Sequence, residues 1–149
     1  MPVAVFATFV FGICCLLAVG LVEAVMRNFA GEAGVPTWAF VIVPSLLSML
    51  FALLLYRKAA SHITGIKQSL SRALAVALLT WVSFAIYVSF LWCPGYRALS
   101  CARDVVLVIT VTGGGPLLLA ALISGTVVGI VLKRRVEWLS YKGAARKSK

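Results

Sequence analysis

The residues in this chain best suited to chemistry are thiols, and the spacing of two of them points to a disulfide. Cys93 and Cys101 bracket the segment Pro94-Gly95-Tyr96-Arg97-Ala98-Leu99-Ser100. A Pro-Gly turn folds so short a segment back on itself and lets the two sulfurs meet. In an oxidising compartment the pair is expected to close, and a ring of that size contributes about 2.5 kcal/mol on the chain-entropy model. The rival chemistry is a redox-active pair that passes electrons onward. That role needs accessible, electropositive thiols and a second dithiol on the same side. The segment Glu23 to Pro36 has no cysteine, and Cys14 and Cys15 fall inside an apolar run where they read as small packing residues. A structural bridge is the expectation for Cys93 and Cys101.

Other chemistries find too few groups. His62 is the single histidine, which leaves a zinc site short of ligands and rules out bis-histidine haem ligation. There is no Gly-x-Ser-x-Gly elbow, no His-Glu-x-x-His pair and no phosphate-cradling Gly-x-x-x-x-Gly-Lys loop. Gly113-Gly114-Gly115 is followed by no lysine and lies in an apolar run. Phe11-Gly12-Ile13-Cys14 makes a poor lipoprotein box, because the residue before the cysteine should be small. No catalytic residue, metal or cofactor is expected.

The elements that position these residues follow from hydropathy. Of 149 residues, 62% are hydrophobic and 12% charged, and the mean hydropathy is +1.07, whereas a soluble domain keeps roughly 25% charged residues to wet its surface. Four segments, Pro2 to Val22, Thr37 to Tyr56, Ala73 to Trp92 and Val105 to Leu132, contain no Asp, Glu, Lys or Arg. Each reaches the roughly 20 residues that a helix needs to cross a bilayer. Strand-like alternation is absent, so the backbone groups must be satisfied within helices. The expectation is one all-α membrane unit over residues 1–149, a four-helix bundle. The first segment has no Lys or Arg ahead of it and no clean Ala-x-Ala site after it, and is expected to stay as a span.

Charge gives the bundle a direction. The loop between the second and third segments carries Arg57, Lys58, Lys67 and Arg72, and the tail carries Lys133, Arg134, Arg135, Lys142, Arg146, Lys147 and Lys149. The opposite side holds Arg27, Arg97 and Arg103, matched by Glu23, Glu32 and Asp104. Positive residues beside spans are retained in the cytoplasm, which predicts both termini and the central loop inside and favours a bacterial inner membrane. Trp38 and Trp92 are then expected at the outer interface, and Tyr56, Trp138 and Tyr141 at the inner one. Lys133-Arg134-Arg135 is expected to meet anionic headgroups rather than nucleic acid, since no nucleic-acid-reading module accompanies it. Val136 to Tyr141 is expected to continue as a short amphipathic extension along the surface.

Small and hydroxyl residues recur at helical spacing. The stripes are Thr8, Gly12 and Cys15; Ser45, Ser48, Ala52 and Tyr56; Thr80, Ser83 and Tyr87; and Thr110, Gly114, Ala121, Gly125 and Gly129. Such residues let helices approach closely, and their hydroxyls are expected to bond across the interfaces. At Gly113-Gly114-Gly115-Pro116 a kink or short unwound stretch is expected, because Pro116 lacks an amide donor and crowds the preceding turn. The same stripes could line a transport pathway, but no span carries the buried carboxylate on which ion-coupled carriers rely. The reading that emerges is a small accessory protein that acts by associating with other membrane proteins, of the assembly, immunity or exclusion type, or with itself as a homo-oligomer. The alternatives are a small transporter or channel subunit and a thiol-disulfide oxidoreductase.

Overall fold

The computed structural model describes residues 3–30, 37–57, 66–93 and 98–147, with side chains over 3–25, 27–28, 39–57, 66–93 and 100–134. They form four helices: α1 Val3–Ala30, α2 Thr37–Arg57, α3 Ile66–Trp92 and α4 Ala98–Lys147. All four are long and apolar enough to cross a membrane, over Val3–Val25, Ala39–Arg57, Ile66–Trp92 and Ser100–Arg134. They support a multi-pass membrane protein.

Two helices outrun the apolar segments. α3 starts at Ile66, seven residues before Ala73, and takes Lys67, Gln68 and Arg72 into its first turns. α4 runs for 50 residues. Charged residues end a hydropathic run but not a helix, because Lys, Arg and Gln are good helix formers. Beyond Arg134 the helical backbone continues for about 20 Å, through Val136 to Tyr141 and on to Lys147. The side chains of that extension lie outside the described residues.

The Gly113-Gly114-Gly115-Pro116 stretch is not unwound: α4 is helical throughout it. Pro44, inside α2, is accommodated in the same way. In hydrocarbon, unwinding would leave several backbone groups without water, each at a cost of several kcal/mol, so a helix missing one bond is the better solution.

The helices sit around a square, each packed against its two neighbours in the order α1, α2, α3, α4 and back to α1. Two apolar clusters fix their directions. At one end, the terminal pole, Ala7 and Phe11 of α1 meet Ala52 and Tyr56 of α2, Ala73 and Val76 of α3, and Val128 and Leu132 of α4. At the other, Ala85 and Val88 of α3 meet Val105 and Ile109 of α4, with Phe40 of α2 against them. The start of α1 thus lies beside the end of α2, the start of α3 and the end of α4, an up-down-up-down bundle. Its outer surface is apolar: Phe90 is 88% exposed and Val111 81%. In water such a surface would drive aggregation, whereas lipid tails solvate it.

Candidate functional site

At the far pole Cys93 and Cys101 are joined, their Cα atoms 5.8 Å apart. The end of α3 and the start of α4 arrange this. The Cys93 amide still donates to the Ser89 carbonyl at 3.0 Å, which carries the α3 backbone pattern one residue past Trp92. Cys101 falls in the first turn of α4. Pro94 and Gly95 of the connecting turn lie outside the described residues. Close by, the Phe40 ring packs 5.9 Å from Phe84 and 5.7 Å from Trp92, in edge-on and tilted geometries that suit aromatic quadrupoles. Cys14 and Cys15, both unpaired, sit midway along α1, and do not approach this disulfide pole as a second dithiol would.

The terminal pole is held by a different fastening. The Tyr56 hydroxyl donates to the Ser69 carbonyl at 3.0 Å and lies 3.2 Å from Ser69 Oγ, while Ser69 Oγ donates to the Gly125 carbonyl at 2.9 Å. One hydroxyl pair therefore ties α2, α3 and α4 together. Gly125 and Gly129 make this possible, because a Cβ on Gly125 would stand 2.5 Å from Ala73 Cβ and one on Gly129 3.2 Å from Ser69 Cβ. Ser69 was not among the stripe residues. The stripe Ser69, Ala73, Val76, Ala77, Thr80 has the right spacing, but its first member lies before the uncharged run begins.

Other hydroxyls bond largely within their own helices, although Ser45 and Ser48 of α2 also face the Cys15 thiol of α1 across the interface. Thr8, Ser45 and Thr110 donate to the carbonyls of Ala4, Val41 and Val106 in their own helices, at 2.8, 2.7 and 2.6 Å. An i−4 carbonyl is always within reach, even before helices associate, and a short side chain takes it. Tyr56 is long enough to reach another helix. It is also fully buried, so it is a bundle residue and not an interfacial belt residue facing headgroups. Trp92, by contrast, is substantially exposed. Trp38, Trp138, Tyr141 and His62 have side chains outside the described residues.

Between the two fastenings, α3 and α4 part to form an outward-facing groove of about 430 Å³. Leu74 and Leu78 of α3 and Leu117 and Leu118 of α4 form its walls, and Ala77 and Gly114 keep it deep. Trp81 and Thr110 also line it, and Trp81 Nε1 is buried without a hydrogen-bond partner among the described residues. A Cβ on Gly113 or Gly115 would meet nothing within 4 Å, and one on Gly114 would touch only Thr110 Cγ2 at 3.8 Å. Gly114, the one of the three that lines the groove, thus leaves space that no helix among the described residues fills. Inside the bundle, the void beside Cys15, Ser48 and Ser124 offers about 10 Å³ to a water-sized sphere, room for about one molecule.

The charges sort by pole. Arg27 and Arg103 pair with Glu23 and Asp104 at 3.3 and 3.5 Å on exposed surface at the disulfide pole, contacts of little energetic weight. The terminal pole carries Arg57, Lys67, Arg72, Lys133 and Arg134 among the described residues; Arg135 belongs to the backbone extension. Among the described residues no three His, Cys, Asp or Glu side chains gather as a metal site would require. No family model, curated protein or solved structure matches this chain.

Proposed function

We propose that this chain is a membrane accessory protein that works by taking a transmembrane helix of another membrane protein into its α3/α4 groove. The groove is the observation that carries this reading. Within hydrocarbon, helices associate through close packing and not through hydrophobicity, so a recess floored by alanine and glycine is where a second helix gains most. Gly125 and Gly129 already serve contacts inside the bundle, while Gly113, Gly114 and Gly115 serve none. The charge distribution supports termini and central loop in the cytoplasm, and with them residence in a bacterial inner membrane.

The test is site-specific photocrosslinking in native membranes. A photoreactive residue at Leu78 or Leu118 should capture a discrete partner, and one at Leu21, exposed on α1, should not. Equal capture from both faces, or none from the groove, would refute the assignment; a doublet of the chain itself would make the occupant a second copy. For orientation, cysteine introduced at the exposed Lys67 is expected to resist an impermeant reagent applied from outside. Ready labelling there would invert the topology.

A further inference from the structure

We infer that the α2/α3 seam at the terminal pole binds the phosphate of an anionic phospholipid, with Arg72 as its principal ligand. This stands independently of the groove and of which leaflet the pole faces.

Depth comes first. Arg72 and Trp92 are twenty residues apart on one unbroken helix, about 30 Å, which is one hydrocarbon thickness. With the exposed Trp92 at one interface, Arg72 lies at the other, where hydrocarbon gives way to phosphates. Rotation comes next. Gly125 and Gly129 of α4 approach Ile66, Ser69, Leu70 and Ala73. At 3.6 residues per turn, these four lie on Ser69's own direction or to one side of it, and Arg72 falls on the other side. That side faces α2, whose Tyr56 hydroxyl bonds Ser69 three residues earlier on α3. Among the described residues the α2/α3 contact is the least extensive of the four between neighbouring helices.

Arg72 is half-buried, and its Nη1 is buried with no hydrogen-bond partner among the described residues. Withdrawing a guanidinium from water without an anion is unfavourable. Glu23 and Asp104 belong to the opposite pole, and Glu137 sits on the α4 extension eight residues past Gly129, which packs at Ile66, so its backbone lies about 20 Å along the bundle axis from Arg72. No side chain among the described residues supplies the counter-charge, which leaves it to a group outside the bundle. A phosphate suits it, since two of its oxygens accept from the planar fork in parallel. Arg57, exposed at the end of α2, adds positive field and favours lipids with net negative charge over zwitterionic ones. Inorganic phosphate offers the same oxygens, but the boundary depth of Arg72 favours the lipid.

Native mass spectrometry of the full chain in detergent, titrated with phosphatidylglycerol or phosphatidylcholine, tests this. The wild type is expected to retain phosphatidylglycerol at least about fivefold more strongly, and Arg72→Gln to lose that preference. Arg103→Gln, at the other pole, should keep it. Phosphatidylglycerol retention by Arg72→Gln equal to wild type, or equal retention of both lipids by wild type, would overturn the proposal. Displacement by millimolar inorganic phosphate would overturn the lipid assignment in favour of a soluble anion. Should Arg72→Gln fail to fold, Arg72→Lys decides. It keeps the charge but not the fork, so a weakened preference supports the site and an undiminished one overturns it.

Discussion

Leucine at Gly125 is expected to force α3 and α4 apart, whereas leucine at Gly114 leaves the fold intact and abolishes partner capture. The contrast comes from what each new side chain meets. At Gly125 a Cβ would stand 2.5 Å from Ala73 Cβ, 3.5 Å from the Ser69 carbonyl oxygen and 3.6 Å from Leu70 Cα. None of these atoms can rotate aside, since all belong to the backbone or are fixed to it. The helices must separate, and the 2.9 Å bond from Ser69 Oγ to the Gly125 carbonyl is lost with them. Overpacking of this kind costs about 3 kcal/mol or more, and thermal unfolding in detergent should show a large drop in midpoint. At Gly114 the new Cβ meets only Thr110 Cγ2 at 3.8 Å, and leucine gains about 1 kcal/mol of helix propensity over glycine. Its midpoint should match or exceed wild type while crosslinking from Leu78 disappears. A Gly125→Leu protein as stable as wild type would mean that the helices do not touch there. Capture undiminished in Gly114→Leu would remove the groove from the function.

Loss of the Cys93–Cys101 bridge is the second large effect. The two cysteines are eight positions apart in sequence, and opening so small a ring should cost about 2.5 kcal/mol on the chain-entropy model, or about 5–10 °C in midpoint. Reductant applied to the wild type should reproduce the shift of the double serine variant and add nothing to it. An unchanged midpoint would show that the bridge constrains nothing. Partner capture is expected to persist at reduced yield in the folded double variant, since no thiol lines the groove.

The spans could be read from the sequence because an apolar run of twenty residues has few other uses. Their ends could not. Arg72 closes the hydropathic window, yet it continues the helical hydrogen bonding, and this hid Ser69 and with it the tie among α2, α3 and α4. The inward faces were only partly visible. Ser45, Ser48, Ala52, Tyr56, Thr80 and Ala121 are buried, but Thr110 faces outward. Lipid is as apolar as a bundle interior, so hydropathy carries no signal for which side of a membrane helix is covered. The glycines make the same point. Gly125 and Gly114 are the same residue on the same helix, and only the position of α3 makes one a contact and the other a vacancy. Pro116 shows a local rule overridden by its solvent: the break it would favour in water is suppressed where exposed backbone finds no water to bind.

The two fastenings on α3 and α4 have a joint consequence. On α3 the groove residues Leu74 to Trp81 lie between Ser69 and Cys93, and on α4 Thr110 to Leu118 lie between Cys101 and Gly125. The recess is clamped above by a covalent bond and below by a buried hydrogen bond, so its walls cannot splay or shut independently. A guest helix would enter a slot already in its bound shape, with little ordering left to do on the host side. Preorganisation of this sort strengthens binding without adding a contact and shows mainly as slow release. Cutting the disulfide should accordingly shorten the lifetime of the complex more than it slows its formation.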